Sequence, residues 1–168
     1  IECENFSFEY RAEPTFEKMV LEGGVPGTPE CKIRPLKGQW VLIENAWREC
    51  SPCFDNVIEN LKSLGFKVII AHPERYRYYA ETPAESYNKL LSKGVYFQCN
   101  LLSLSGYYGS WEKEVSKWML KKGFIHFLGS DIHNSSYTEH LERFVKSKDY
   151  ADIYDKLADN VMNDLMGK

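Results

Sequence analysis

Residues 54–75, FDNVIENLKSLGFKVIIAHPER, carry the pattern from which the fold is read. Phe54, Val57, Ile58, Leu61 and Leu64 recur at the spacing of one helix face, so the stretch predicts an amphipathic helix with a buried stripe. Gly65 follows the last turn, where a residue without a Cβ enters the left-handed conformation freely and stops the helix. Phe66-Lys67-Val68-Ile69-Ile70 then predicts a short buried strand. His72-Pro73-Glu74-Arg75 closes it with polar groups, giving the order helix, glycine, strand, polar end.

The same order repeats along the chain. Gly38, Gly65, Gly94 and Gly123 are separated by 27, 29 and 29 residues. Each precedes an apolar or aromatic run: Trp40-Val41-Leu42-Ile43, then Phe66 to Ile70, Val95-Tyr96-Phe97, and Phe124-Ile125-His126-Phe127-Leu128. Helical stripes fall between them, with Tyr87, Leu90 and Leu91 on one and Trp111, Val115, Trp118 and Met119 on another. A βα period of this length predicts right-handed βαβ units and a parallel sheet, closed as a barrel or left open. The first thirty residues add a strand with Phe6, Phe8 and Tyr10 alternating, a helix from Pro14 to Leu21 and a turn-rich connector over 23–29. At the other end, Tyr150, Ile153, Tyr154, Leu157, Val161 and Leu165 predict one long helix.

Composition narrows the class. With 168 residues, 43% of them hydrophobic, the chain suits one core, and a single domain over 1–168 is expected. Lys and Arg number 21 against 24 Asp and Glu, so no broad basic face is available for a nucleic-acid backbone. The longest apolar runs span a few residues, against roughly 20 for a membrane helix. Five cysteines, an odd number, and no leader-like opening point to a reduced, cytoplasmic protein. A homo-oligomer is left open.

In parallel α/β folds the chemistry gathers at the carboxyl ends of the strands, where loops converge and helix N-termini present free N–H groups. Here those ends are Glu44, His72-Pro73-Glu74-Arg75, Gln98-Cys99-Asn100 and Gly129-Ser130-Asp131-Ile132-His133. A carboxylate, an imidazole and an Asp-x-His pair from different strands are the ligand types that hold divalent metals. Arg75 suits an anionic substrate through its bidentate fork. One histidine after a strand is more often a structural residue, but four polar ends in phase favour metal binding or catalysis. Asn100 reads equally as a substrate hydrogen-bonder or a loop cap. His126 and His140 read as structural, and Tyr76, Tyr78, Tyr79, Tyr107 and Tyr108 as pocket lining or loop packing. Cys50-Ser51-Pro52-Cys53 offers a competing thioredoxin-like redox reading, with a thiol acidified at a helix start. It leaves His72, Asp131 and His133 without a task.

Three strings carry a resemblance over nearly the whole chain: Ile69 to Tyr76 (IIAHPERY), Gln98 to Gly109 (QCNLLSLSGYYG) and Gly129 to His133 (GSDIH). With Phe8-Glu9-Tyr10 and Val41-Leu42-Ile43-Glu44, they resemble the bacterial capsule-associated tyrosine phosphatases of the PHP (polymerase and histidinol phosphatase) superfamily. The resemblance implies a distorted parallel β/α barrel bearing a metal cluster. It implies Glu44, His72, Asp131 and His133 as metal ligands and Arg75 as a phosphate binder; Arg75 and Asp131 are the expected catalytic residues, and Arg75, with Asn100 from the reading of the strand ends, the expected substrate-binding ones. Mn²⁺ is the implied ion, with Fe, Mg²⁺ or Zn²⁺ as alternatives. The implied reaction is hydrolysis of phosphotyrosine on a partner protein, a tyrosine kinase that regulates capsular or exopolysaccharide synthesis. A noncatalytic kinase-binding remnant is the other reading. Such a family opens with a His-x-His strand that has no match here, and the chain opens on Ile1, so an absent N-terminal segment is expected.

Overall fold

The computed structural model describes residues 36–45, 48–52 and 54–163. The expected strand and helix of the first thirty residues, together with Cys3, Cys31, Cys53 and Leu165, lie outside the described residues. The elements are β1 (Trp40–Ile43), α1 (Phe54–Ser63), β2 (Lys67–Ala71), two 3-10 turns (Pro73–Arg75 and Arg77–Tyr79), α2 (Pro83–Ser92), β3 (Tyr96–Asn100), α3 (Leu101–Ser105), α4 (Ser110–Lys121), β4 (Phe127–Gly129), α5 (Ser135–Val145) and α6 (Lys148–Asn160). The fold is α/β, with the strands in the sheet order β1-β2-β3-β4. The described residues fall into two compact units, one holding those up to Ala71 with Tyr76–Tyr96, the other His72–Arg75 with those from Phe97 onward.

In the first unit β1 pairs in parallel with β2, Val41 opposite Val68 and Ile43 opposite Ile70. Helix α1 buries Phe54, Val57, Ile58 and Leu61, the stripe its sequence predicts. Burying each such side chain contributes about 1.5–3 kcal/mol. Leu64, expected on the same stripe, is instead exposed, because it lies past the helix end. Gly65 closes α1 at φ +86°, its N–H donating to the Lys62 carbonyl at 2.9 Å while the Phe66 N–H reaches Leu61 O at 3.0 Å. This pair of bonds satisfies carbonyls that the helix end would leave open.

No heavy atom lies within 4 Å of where a Cβ on Gly65 would stand. A Gly65→Ala substitution therefore carries only the left-handed backbone cost, about 1–2 kcal/mol. Its urea midpoint should fall accordingly, and an unchanged midpoint would contradict the account. Gly38 departs from the pattern. It sits at φ +56° in a tight turn beside a Lys37–Trp40 bridge that leads into β1, and caps no described helix.

In the second unit β3 pairs in parallel with β4, Gln98 opposite Phe127 and Asn100 opposite Gly129. Helix α4 turns Val115, Met119 and Leu120 inward. Trp111 and Trp118, expected on that stripe, are half-buried. The strand expected over 124–128 begins only at Phe127. The cause is His126: its N–H donates to Phe97 O at 3.0 Å, while the Phe97 N–H donates to the His126 ring Nδ1 at 3.1 Å, so a side chain stands where a ladder carbonyl would. The expected C-terminal helix is α6, which follows a separate helix α5 and stops at Asn160 with Val161 extended. Among the described residues of its predicted stripe, Leu157 is buried and Tyr154 is exposed.

Candidate active site

The second unit places three strand-end segments in contact, and the chain turns sharply into each. At the end of β2, His72 takes φ +30°, and the Arg75 N–H closes the 3-10 turn onto His72 O at 3.0 Å. Past β4, Asp131 takes φ +49°. Non-glycine residues rarely adopt this region, at a cost of about 1–3 kcal/mol each, and such strain gathers at functional sites. Between these two segments Asn100 caps α3 from a fully buried position, with its side chain directed away from the helix it starts.

Asp131 is the hub. Its Oδ2 accepts hydrogen bonds from Asn100 Nδ2 at 2.8 Å, Arg75 Nη1 at 3.1 Å and the Tyr108 hydroxyl at 3.4 Å. Its Oδ1 lies 2.9 Å from His133 Nε2. The Arg75 guanidinium also rests over the Tyr108 ring, 4.4 Å from its centroid, a cation–π contact that holds the fork flat. Burial, with the Asp131 charge beside it, pushes the Tyr108 phenol up, so it remains a donor at neutral pH. The Asp131 side chain is 14% exposed and Arg75 28%, whereas His133 is 60% exposed. The arrangement is a carboxylate held on one side by a buried amide and two half-buried donors, and open to solvent through an imidazole on the other.

Support comes from behind. Gln98 Nε2 donates to Asn100 Oδ1 at 2.8 Å, which fixes the Asn100 amide so that its NH₂ faces Asp131. Gly129 makes room for this, since a Cβ there would collide with the Gln98 amide nitrogen. Asn100 thus occupies the cap position of α3, while its side chain belongs to the Asp131 cluster.

Among the residues singled out in the sequence, the structure joins Arg75, Asn100, Asp131 and His133. Buried His72 follows β2 in the same unit. Glu44 follows β1 in the first unit, half-buried. Among the described residues no group of three or more His, Cys, Asp or Glu side chains gathers as a metal site. Asp131 and His133 are the pair that does meet. Three of the contacts to Asp131 come from Arg75, Asn100 and Tyr108, hydrogen-bond donors rather than metal-ligating carboxylates or imidazoles, which is why the hub does not read as a cluster. The oxygen and nitrogen donors of Asp131 and His133 nonetheless suit a hard or borderline divalent ion.

The tyrosines divide. Tyr76, Tyr78, Tyr79 and Tyr87 pack on one another in the first unit, and the Tyr76 hydroxyl accepts the Asn45 N–H at 2.8 Å, which is loop packing. Tyr107, Tyr108 and Tyr137 form a second cluster beside Asp131 and His133. His140 packs against Tyr107 and meets Ser105 Oγ at 2.8 Å, a structural role like that of His126. Burial pushes the Cys50 thiol up, contrary to what an acidified nucleophile requires, and Cys50 lies four residues before α1 begins. The Cys-x-x-Cys redox reading therefore gains nothing from Cys50.

One residue of the site escaped the sequence reading. Glu74 lies fully buried, its Oε1 accepting the Asn100 N–H at 3.0 Å and the Ser103 hydroxyl at 2.6 Å. Burial pushes its carboxyl up, against smaller opposing pulls from His72 and from these donors. In sequence it looks like a solvated charge in a turn. The only hint is Ser103, a hydroxyl set among the leucines of Leu101-Leu102-Ser103-Leu104 three residues after Asn100.

Residues 26–166 match the family described as Capsular polysaccharide synthesis, CpsB/CapC. The tyrosine-protein phosphatase YwqE of Bacillus subtilis (strain 168) is 33% identical over 96 residues, covering 57% of this chain and 37% of that protein. The tyrosine-protein phosphatase CpsB of Streptococcus agalactiae is 27% identical over 150 residues, 77% of this chain and 60% of that protein. Among solved structures, a chain from the study of YwqE from Bacillus subtilis and CpsB from Streptococcus pneumoniae, described as unique metal-dependent tyrosine phosphatases, superposes with a TM-score of 0.60 at 25% identity. It covers 89% of this chain and 60% of that one. The chain thus spans between about a third and three-fifths of the length of these relatives.

Proposed function

Because the chain belongs to the capsular polysaccharide synthesis CpsB/CapC family, we propose that it forms part of a metal-dependent phosphatase acting on phosphotyrosine in a partner protein. The observation that carries the reading is the Asp131 hub, where a guanidinium, an amide and an imidazole meet one carboxylate. The partner we propose is a tyrosine kinase that regulates capsular or exopolysaccharide synthesis, met in the cytoplasm. Residues 1–168 are read as one PHP-like domain of that protein.

Each residue then has a task that its contacts support. Arg75 keeps one nitrogen on Asp131 and, being partly exposed, has further N–H donors for a phosphoryl oxygen. Asn100 and Tyr108 hold Asp131 in place, and Gln98 holds Asn100. Asp131 and His133, with His72 and Glu44 by position, are the residues we assign to the metal, Mn²⁺ in the first instance. Such ions supply Lewis-acid polarisation and a more acidic water, so no cysteine nucleophile is required.

The test is hydrolysis of a phosphotyrosine peptide by the full polypeptide that contains this chain. Activity should disappear with a chelator and return with Mn²⁺. Undiminished turnover in chelator, or equal turnover of phosphoserine and phosphotyrosine peptides, would refute the reading.

A further inference from the structure

Glu74 is a fully buried carboxylate that the reaction above leaves without a task, and its contacts form a closed circuit. Its Oε1 takes the Asn100 backbone N–H and the Ser103 hydroxyl, at 3.0 and 2.6 Å. The Asn100 side chain reaches Asp131 Oδ2 at 2.8 Å, and Arg75 reaches the same oxygen at 3.1 Å. Arg75 is the chain neighbour of Glu74 in the turn Pro73–Arg75, so the ring closes through one peptide bond. Helix α4 packs against that turn, which leaves it little room to settle elsewhere. The other oxygen of Glu74, Oε2, has no hydrogen-bond partner among the described residues.

We propose that Glu74 is a positioning residue: by clamping the β2-end turn onto the Asn100 backbone it sets the angle at which Arg75 and Asn100 meet Asp131, and so the pose of a bound phosphoryl group. This rests on the phosphatase reading. A carboxylate with two donors on one oxygen is a rigid tie, since both bonds must lengthen together before the turn can tilt. Being fully buried, Glu74 touches no substrate, and its effect passes through Arg75.

The pair Glu74→Gln and Glu74→Ala separates the tie from mere bulk, because the glutamine keeps an acceptor at Oε1 and the alanine does not. Well below each variant's melting temperature, Glu74→Ala should lower kcat/KM on the phosphotyrosine peptide about 10²-fold, the scale expected when a reacting group is displaced by about 1 Å. Inhibition by inorganic phosphate should weaken in the same variant, while Glu74→Gln stays within about threefold of the parent on both readouts. Adding Arg75→Ala to Glu74→Ala should cost far less than it does alone, since contacting residues that act together are not additive. A lower melting temperature with unchanged kcat/KM, or fully additive losses, would overturn the proposal.

Should Glu74→Ala fail to fold, Ser103→Ala removes one of the two donors, and unchanged kcat/KM there overturns it equally. A parent protein that hydrolyses no phosphotyrosine would sink the phosphatase reading instead. The clamp is then read by calorimetry with inorganic phosphate. Binding by the parent that Glu74→Ala loses and Glu74→Gln keeps would sustain it, whereas equal binding, or none in either protein, would overturn it.

Discussion

Arg75→Ala lowers kcat on a phosphotyrosine peptide about 10²–10³-fold, the loss expected when one preorganised donor to a developing oxyanion is removed, about 2.7–4 kcal/mol. The structure gives Arg75 two partners at once. Asp131 holds one nitrogen at 3.1 Å and the Tyr108 ring lies under the guanidinium, so the fork is oriented before any substrate arrives. Arg75→Lys should recover only part of the loss, because an ammonium keeps the charge but not the planar fork. The ion pair with Asp131 is partly exposed, and its removal lowers the melting temperature only modestly. Turnover per folded molecule therefore decides the matter. A destabilised Arg75→Ala protein with normal turnover would reduce Arg75 to a structural partner of Asp131.

Asp131→Asn has the second large effect, and the hydrogen bonds dictate how. Three donors point at Oδ2, so the asparagine must keep its carbonyl oxygen there and turn its NH₂ toward His133. The shape of the site survives, but the negative charge and the oxygen facing His133 are lost. Mn²⁺ affinity should fall by at least about 100-fold, the upper end of what losing even an outer partner of a ligand costs. Turnover at limiting Mn²⁺ falls with it and recovers in part at saturating metal. Titrating Mn²⁺ against turnover and against direct binding checks both, and an unchanged affinity would remove Asp131 from the metal site.

The repeat was legible because it is local. The α1 stripe, Gly65 and the Val68–Ile70 run are each set by neighbours in sequence, and the structure reproduces all three but for Leu64 at the end of the stripe. Asp131, His133, Asn100 and Arg75 were legible as strand ends in phase. What the sequence concealed depends on groups far apart in the chain. Glu74 is buried by Asn100 and Ser103, 26 and 29 residues away, and nothing near it forecasts that. His126 shortens β4 because its ring takes the Phe97 N–H, a contact no periodicity records. Helix α6 starts at the Ser147 N-cap, whose hydroxyl oxygen accepts the Tyr150 N–H, and ends at Asn160, although the apolar spacing of its stripe runs on to Val161.

The two non-glycine residues at positive φ among the described residues, His72 at φ +30° and Asp131 at φ +49°, set the backbone and the chemistry at odds. At each position the peptide geometry alone favours glycine by about 1–2 kcal/mol, yet glycine deletes the imidazole or the carboxylate. A library of variants sorted once for folded yield and once for turnover should therefore rank substitutions at these two positions in different orders. Glycine and asparagine would stand higher in the first sort than at ordinary strand-end positions, and low in the second. Such discordance would mark both residues as retained for what they do rather than for the fold they belong to.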